Sequence, residues 1–374
     1  MIKNYILLGV YFFCSFLATL MATPQTVKVF KGKNLFDKPG GRKLHKNRTP
    51  SMGGIGIFFG FIIFAVTAIT DNSFYGVNYL WCSLLVLFFM GLRDDLIPLK
   101  SVNKFAVQIL AASLVVGMTE LKITSLYTLG GGVFVEQFPE WFSFFFSVFF
   151  IVAFTNAFNM IDGIDGLAGS LASILLFVFA VWFTLNNFWT EAFLTICMLG
   201  AVCGFLYYNW SPAKIFMGDT GSLVVGFFCA LVMILFFNKN ETVDFSNPYK
   251  INYAIGLIAS LFIYPIFDVM RIFAIRLKAK RSPFSPDKLH IHLLLSRLGL
   301  DHRQIVFSIV GYTLVVLLIY SILTYSNLNE IIIILIIFSF CFFCSYLLKR
   351  KVNRFKKDKK MIMLPKINKH TNAS

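Results

Sequence analysis

Eleven long apolar runs divide this chain, and they constrain its fold more than any other feature of the sequence. The runs cover residues 2–22, 52–70, 77–92, 104–119, 141–158, 167–186, 189–208, 220–238, 252–274, 304–325 and 329–348. Most of them approach the roughly 20 residues that an α-helix needs to cross about 30 Å of hydrocarbon. Only 14% of the 374 residues are charged, whereas about 25% is usual in a soluble domain. The sequence therefore predicts an all-α, polytopic transmembrane helix bundle with about 11 spans.

Lysine and arginine are distributed unevenly between the two sides of this predicted bundle. Thirty of the 34 fall in the C-terminal tail or in the connections that follow runs 1, 3, 5, 7 and 9, counting Lys104 and Arg271 at the ends of their runs. The other side holds only Lys3, Lys122, Lys239 and Lys250. Because cationic loops stay in the cytoplasm, we expect the N-terminus outside and the C-terminus inside. Topology and anionic lipid also explain the net charge of +16, so we predict no nucleic-acid partner.

The chain is expected to form a single transmembrane catalytic domain over residues 1–348, followed by a basic cytoplasmic tail over 349–374. Its cytoplasmic active-site loops are predicted at 23–51, 91–104, 155–166, 208–219 and 275–303. Acids on the opposite side, Glu191 and Glu330 among them, stand singly among turn residues, and we interpret them as solvated loop charges. The seven cysteines lie mostly in apolar runs, and Cys341 and Cys344, which are spaced as CxxC without a further soft ligand, are interpreted as buried thiols.

Two adjacent carboxylates, Asp94 and Asp95, follow the third apolar run. Neighbouring acids at a membrane boundary repel one another unless a cation or a shared proton relieves the strain. A helix-end pair with Arg93 would account for only one of them. Lys104 follows at the start of the fourth run. The pattern favours a functional site over a structural ion pair.

Amides and acids recur every three residues at the end of the fifth run, at Asn156, Asn159, Asp162 and Asp165. This spacing places them roughly on one face if the segment is helical. Uncompensated acids next to lipid are costly, so a metal ion or a cationic partner is implied. A cap at a helix N-terminus would explain one aspartate but not all four groups.

Asp219 directly precedes the eighth run, where it could cap the following helix or place a carboxylate inside the bundle. Carboxylates of this kind select Mg²⁺ or Mn²⁺, and Mg²⁺ commonly takes one or two of them together with substrate phosphates. Loop 275–303 adds His290 and His292, which could bind phosphate or a nucleotide or could be solvated. Zinc is disfavoured because no third soft ligand is fixed nearby.

Five motifs, in this order along the chain, resemble those of the polyprenyl-phosphate N-acetylhexosamine-1-phosphate transferases, the family of WecA, TagO and MraY. They read DKPGGRKLHKNRTPSMGG, GLRDD followed by Lys104, NAFNMIDGIDGL, NWSPAKIFMGDTGSL and PDKLHIH, and they span roughly residues 37–303. Each lies on the predicted cytoplasmic side. The first loop and the number of apolar runs are more similar to the WecA and TagO branch than to the MraY branch.

The resemblance implies that a polyprenyl phosphate, expected to be undecaprenyl phosphate, attacks the β-phosphate of a UDP-N-acetylhexosamine and releases UMP. It implies a Mg²⁺ cofactor, with Mn²⁺ as the alternative, and a position in the bacterial inner membrane with the active site facing the cytoplasm. The implied residues are Asp94, Asp95 and Asp162 as catalytic acids, Asp219 and Asp162 as metal ligands, and Lys104, Asn156, Asn159, His290 and His292 as substrate-binding groups. Asp165, Asp268 and Asp287 are expected to be supporting or structural.

Two departures from the family pattern bear on specificity. Leu293 stands where family members often have a further histidine, and Pro98 stands where some have a polar residue. The expected sugar is N-acetylglucosamine, although a modified 2-acetamido sugar stays open, as does a homodimer. The downstream glycan is also open.

Three other functions fit the sequence less well. An ion-coupled secondary transporter would place carboxylates near the membrane midplane in two repeated halves, whereas these acids cluster at one face. A scaffold protein would leave the acid pairs and glycine-rich motifs unexplained. A CDP-alcohol phosphotransferase would need a spaced Asp/Gly/Arg signature that this sequence lacks.

Overall fold

Helices make up nearly all of the computed structural model, which describes residues 2–32, 49–69, 76–128, 132–135, 137–282, 289–326 and 328–362. The helices are α1 (Ile2–Gly32), α2 (Gly53–Ala68), α3 (Val77–Leu96), α4 (Ser101–Met118), α5 (Glu140–Ile161), α6 (Leu167–Leu185), α7 (Trp189–Asn209), α8 (Gly218–Thr242), α9 (Ala254–Leu261), α10 (Ile263–Lys278), α11 (Ile291–Arg297), α12 (His302–Thr324) and α13 (Glu330–Ile362). A short antiparallel pair, β1 (Leu126–Thr128) and β2 (Gly132–Val135), lies between α4 and α5. The predicted helical bundle is confirmed, with this strand pair as an unpredicted addition.

Nine of the described helices are each long and apolar enough to cross a membrane. Two of the eleven predicted spans are not formed by such a helix. α2 has only 16 residues. The run predicted over 252–274 is two helices, α9 and α10, which meet at Phe262 with a bend of 75°. Pro265 explains the bend, because proline has no N–H to donate to the Leu261 carbonyl and its ring clashes with that carbonyl.

α8 lies at the centre of the bundle. No charged residue stands between Asp219 and Lys239, so no face of this helix suits water. α2, α3, α5 and α6 pack around it, and its apolar segment is wholly buried. α1 and α13, in contrast, leave much of their apolar surface exposed for lipid. The start of α8 therefore lies at a junction of several helix ends.

Two glycines let neighbouring helices approach the start of α8. A Cβ on Gly54 of α2 would overlap the backbone of Gly221, and a Cβ on Gly91 of α3 would lie 2.5 Å from the Cα of Thr220. The Gly54 N–H also donates to the Met217 carbonyl at 3.0 Å. Any larger side chain at these positions would push α2 or α3 away from α8.

Two acids at the opposite end of the bundle show that one sequence interpretation was wrong. Glu191 and Glu330, expected to be solvated, are 5% and 0% exposed. Lys239 pairs with Glu191 at 3.0 Å, and Oε1 of Glu330 accepts the Gly256 N–H at 2.7 Å. Each acid has a partner from another helix, and a pattern along one segment does not reveal such a partner.

Some predicted loops lie partly outside the described residues. These are positions 33–48 of loop 23–51 and 283–288 of loop 275–303, the latter including Asp287, together with residues 363–374 of the tail. α13 continues from Glu330 to Ile362, so the predicted domain boundary after residue 348 falls inside a helix.

Candidate active site

Four helix ends meet at one end of the bundle and gather most of the predicted site residues. The helices alternate in direction, so the ends of α3 and α5 lie beside the starts of α4 and α8. The residues concerned are Asp94 and Asp95 at the end of α3, Lys104 at the start of α4, Asn159 and Asp162 at the end of α5, and Asp219 at the start of α8.

Asp219 is the centre of this junction. Its Oδ2 accepts a hydrogen bond from Lys104 Nζ at 2.6 Å, and its Oδ1 accepts one from Asn159 Nδ2 at 3.0 Å. The same Lys104 Nζ lies 2.5 Å from Asp94 Oδ2. One ammonium therefore joins carboxylates from α3 and α8, while an amide from α5 contacts the second oxygen of Asp219.

Carboxyl groups outnumber basic groups at this junction. The carboxylates of Asp94 and Asp219 both contact Lys104 Nζ, at 2.5 and 2.6 Å, so one positive charge lies between them. Burial, followed by the negative charges of Asp219 and Asp95, raises the pKa of Asp162 to about 8. The junction is therefore an electrostatically favourable place for a further cation.

Asp95 contacts the start of α8 with both of its carboxylate oxygens. Oδ1 accepts the Asp219 N–H at 2.9 Å, and Oδ2 accepts the N–H and the hydroxyl of Thr220 at 3.0 and 2.6 Å. Gly218, with φ of +71°, makes this approach feasible, because a Cβ there would lie 2.6 Å from Asp95 Oδ2. Asp95 thus satisfies backbone N–H groups that a helix start leaves unpaired, which is a structural role as an N-terminal cap.

The donor set fits a hard divalent cation. Within the described ranges, no three His, Cys, Asp or Glu side chains converge as a complete metal cage. Mg²⁺ does not need such a cage, because it commonly binds one or two carboxylates and completes its shell with phosphate oxygens and water. Asp219 and Asp162 supply hard oxygen atoms of this kind, and the excess of carboxyl groups around them favours a cation.

Asn156 makes a different contact, one turn before Asn159 on α5. Its Nδ2 donates to Gln108 Oε1 of α4 at 2.6 Å and to the Val152 carbonyl at 2.7 Å. Gln108 is buried and follows Lys104 by one helical turn. The pair therefore joins α4 to α5 next to the carboxylate junction. Sequence analysis missed Gln108, although its spacing of four from Lys104 was a usable signal.

His290 and His292 belong to a second cluster, formed with α10. Both are buried, which excludes the solvated interpretation. His290 Nδ1 lies 2.8 Å from Asp268 Oδ2, and His292 Nδ1 lies 2.9 Å from Tyr264 Oη. Burial lowers the pKa of His292 to about 4. A Cβ on Gly163 would lie 3.4 Å from His292 Nε2, so this cluster borders the loop that follows α5.

Asp165 holds that same loop to its surroundings. One carboxylate oxygen accepts the Ala213 N–H at 3.1 Å, and the other lies 3.2 Å from His302 Nδ1. The Gly166 N–H donates to Asn209 Oδ1 at 2.8 Å. These contacts join the loop to α7, α12 and the connection before α8, in keeping with the supporting role expected of Asp165.

Comparison with known proteins agrees with the resemblance found in the five motifs. Residues 77–237 match the family model of glycosyl transferase family 4. The chain is 30% identical to a probable undecaprenyl-phosphate N-acetylglucosaminyl 1-phosphate transferase of Bacillus subtilis, over 81% of this chain and 82% of the relative. It is 30% identical over 88% of both chains to the undecaprenyl-phosphate alpha-N-acetylglucosaminyl 1-phosphate transferase of Escherichia coli. It is 31% identical over 72% of both chains to the decaprenyl-phosphate N-acetylglucosaminephosphotransferase of Mycobacterium leprae. The chain therefore belongs to the family of polyprenyl-phosphate N-acetylglucosamine-1-phosphate transferases.

Proposed function

We propose that this protein transfers N-acetylglucosamine 1-phosphate from UDP-N-acetylglucosamine to a polyprenyl phosphate, with undecaprenyl phosphate as the expected lipid. An oxygen of the lipid phosphate forms a bond to the β-phosphorus of the donor. The bond from that phosphorus to the bridging oxygen breaks, and UMP leaves with the bridging oxygen. The names of the relatives support this reaction, and in the structure the junction of Asp219, Lys104 and Asn159 is the observation that carries it.

The groups at the junction suit phosphoryl transfer, which depends on positioning and charge neutralisation more than on covalent catalysis. We assign Lys104 to the negatively charged phosphates and Asn159 to the orientation of Asp219. Asp219 and Asp162 would hold Mg²⁺, with Mn²⁺ as the alternative. When bound, such a cation neutralises charge on the diphosphate and on the leaving group.

Asp94 and Asp95 receive different roles in this proposal. Both Asp95 oxygens contact α8, so Asp95 holds the site together. Asp94 contacts Lys104 and the Leu99 N–H, so it acts by positioning the ammonium. A strong general base is not required, because a phosphate monoester with a second pKa of about 6 is already largely ionised at neutral pH.

The protein is a multi-pass membrane protein, and we propose that it lies in the bacterial inner membrane with the carboxylate junction facing the cytoplasm. The excess of lysine and arginine in the connections on that side supports this orientation. The alternative of an ion-coupled transporter has no support among the relatives, which are named as transferases. A homodimer stays a prediction.

The test is UMP release by detergent-purified protein. Wild-type protein should release UMP only when UDP-N-acetylglucosamine, polyprenyl phosphate and Mg²⁺ are all present. Asp219→Asn should lower turnover by about 10²–10³-fold, as loss of one strong electrostatic contact to a transition state does. Asp244→Asn, at an exposed position at the other end of the bundle, is the matched control and should behave as wild type. UMP release without lipid, or normal turnover of Asp219→Asn, would contradict the proposal.

The sugar is tested in the same assay with a panel of UDP-sugars. We expect UDP-N-acetylglucosamine to give the highest kcat/KM. A higher value for a modified 2-acetamido sugar would assign that sugar as the donor and would leave the reaction type unchanged.

A further inference from the structure

A polar cluster outside the carboxylate junction lies on one face of α10. Tyr264, Asp268 and Arg271 follow one another at spacings of four and three, which places them on the same side of a helix. The Asp268 side chain is 1% exposed, and Arg271 Nη2 lies 2.7 Å from its Oδ1. A buried carboxylate is costly unless it is paired, and Arg271 supplies the pairing charge.

This face of α10 contacts the histidine segment through its backbone. Asp268 Oδ1 accepts the Ile291 N–H at 3.1 Å. Arg271 Nη2 donates to the Leu289 carbonyl at 2.5 Å. These two hydrogen bonds fix the backbone on both sides of His290, independently of its side chain.

The imidazole of His290 is fixed separately. Its Nδ1 lies 2.8 Å from Asp268 Oδ2, so Nδ1 carries the proton that this bond requires. A ligand of His290 would therefore have to bind to Nε2, the other ring nitrogen. The ring of His290 also stacks on that of His292, with 5.5 Å between centroids and 14° between planes.

The cluster borders the loop that carries Asp162. His292 Nε2 would lie 3.4 Å from a Cβ at Gly163, which is the residue after Asp162. Tyr264 contacts the other ring nitrogen of His292 at 2.9 Å. The stacked histidines therefore have a fixed position next to the carboxylate junction, and that position depends on α10.

We infer that Asp268 is a positioning residue for the transfer reaction: it sets the orientation and the ring proton of His290, so that Nε2 is the nitrogen available to the UDP-sugar. The inference rests on the proposed function. A carboxylate that fixes the tautomer of a functional histidine is a recurrent arrangement in enzymes, and the loss of such a hydrogen-bond partner commonly costs about 10–100-fold in function. Asp268→Asn keeps the shape of the side chain but can present an NH₂ group to Nδ1, which would move the ring proton to Nε2.

A double-mutant cycle tests the inference. We expect Asp268→Asn to lower kcat/KM for UDP-N-acetylglucosamine by about 10–100-fold, and His290→Ala to lower it by at least as much. If Asp268 acts through His290, adding Asp268→Asn to His290→Ala should cause little further loss. Multiplied losses in the double variant would show that Asp268 acts independently and would overturn the inference.

The matched control is Glu330→Gln, which also converts a buried carboxylate to an amide but at the opposite end of the bundle. Its kcat/KM should stay within about twofold of wild type, which corresponds to about 0.4 kcal/mol. A wild-type protein that releases no UMP would overturn the proposed function, and this inference with it. Active wild-type protein with multiplied losses would overturn the inference alone.

A further variant, His290→Asn, covers the case in which Asp268→Asn does not fold. The amide of Asn can take the place of Nδ1, so His290→Asn keeps a donor for Asp268 and loses Nε2. We expect His290→Asn to keep the wild-type melting temperature and to lose turnover as far as His290→Ala. Near-wild-type turnover of His290→Asn would show that His290 is only a structural link.

Discussion

Asp94 and Asp95 are neighbours in the sequence but contact different elements. Successive side chains on a helix diverge by about 100°, so Asp95 reaches the start of α8 while Asp94 reaches Lys104 on α4. A carboxylate at a helix N-terminus interacts favourably with the unpaired N–H groups and with the helix dipole. The two acids should therefore respond differently to the same substitution.

Asp95→Asn should destabilise the protein by about 1–2 kcal/mol, because the start of α8 loses a charged cap. Asp94→Asn should change stability less and should lower kcat/KM, because Lys104 loses one of its two carboxylate partners. Thermal unfolding in detergent and UMP release, measured on both variants, check this difference. Equal losses of melting temperature would show that the two acids share one structural role.

Lys104→Met should lower turnover by about 10²–10³-fold, since it removes a positive charge aimed at the reacting phosphates. Lys100→Met is the matched control, because Lys100 is exposed and starts the same helix. We expect the control to keep wild-type turnover. Similar losses in both variants would indicate a general effect of basic charge near the membrane surface and would remove Lys104 from the site.

His292 should make the protein less stable in acid. Burial lowers its pKa to about 4, whereas an exposed histidine has a pKa of about 6.5. The unfolded chain therefore takes up a proton first as the pH falls below about 6.5, and stability is lost progressively towards pH 4. His292→Gln removes this titration, so its melting temperature should fall less between pH 6.5 and 4.5. Identical pH dependence of wild type and variant would contradict this expectation.

At the scale of helices, α4 and α5 are joined by the Gln108–Asn156 pair, one turn from Lys104 and Asn159. Gln108→Leu removes the Gln108 oxygen from the half-buried amide of Asn156, which keeps only its bond to the Val152 carbonyl, at a cost of about 1–3 kcal/mol. Replacing both amides by leucine should recover most of this stability, because neither polar group is then left unsatisfied.

The double variant also tests the predicted substrate contact of Asn156. If Asn156 is only a structural link, Gln108→Leu with Asn156→Leu should recover turnover together with melting temperature. If Asn156 contacts substrate, stability should return while kcat/KM stays low. UMP release and thermal unfolding, measured side by side, distinguish the two results.

The sequence predicted the charged residues that stand at the ends of apolar runs. It missed the features that depend on contacts between distant parts of the chain. Asp94, Lys104 and Asp219 stand out because they are charges at the ends of apolar runs. Asp268 was assigned only a supporting role, because its histidine partner lies 22 residues further along the chain. The α9–α10 bend was missed because averaged hydropathy does not register the backbone effect of Pro265.

At the scale of the whole molecule, charge separates the two ends of the bundle. One end holds the carboxylate junction, and the predicted topology assigns most of the basic connections to the same end. The other holds isolated pairs, such as Lys122 with Glu140 at 3.1 Å and Lys239 with Glu191 at 3.0 Å. Thirty of 34 basic residues belong to the first end or its tail in the predicted topology. Replacing a single arginine should therefore leave the orientation of the protein in the membrane unchanged.

Cysteine labelling of spheroplasts tests this orientation. Asp244→Cys introduces a thiol after α8, and Arg281→Cys introduces one after α10; both positions are exposed. A membrane-impermeant maleimide should label Asp244→Cys in intact spheroplasts and Arg281→Cys only after permeabilisation. The parent protein gives the background from its own cysteines, of which Cys82 is exposed on α3. The reverse labelling pattern would place the carboxylate junction outside the cell, where a UDP-sugar made in the cytoplasm could not reach it.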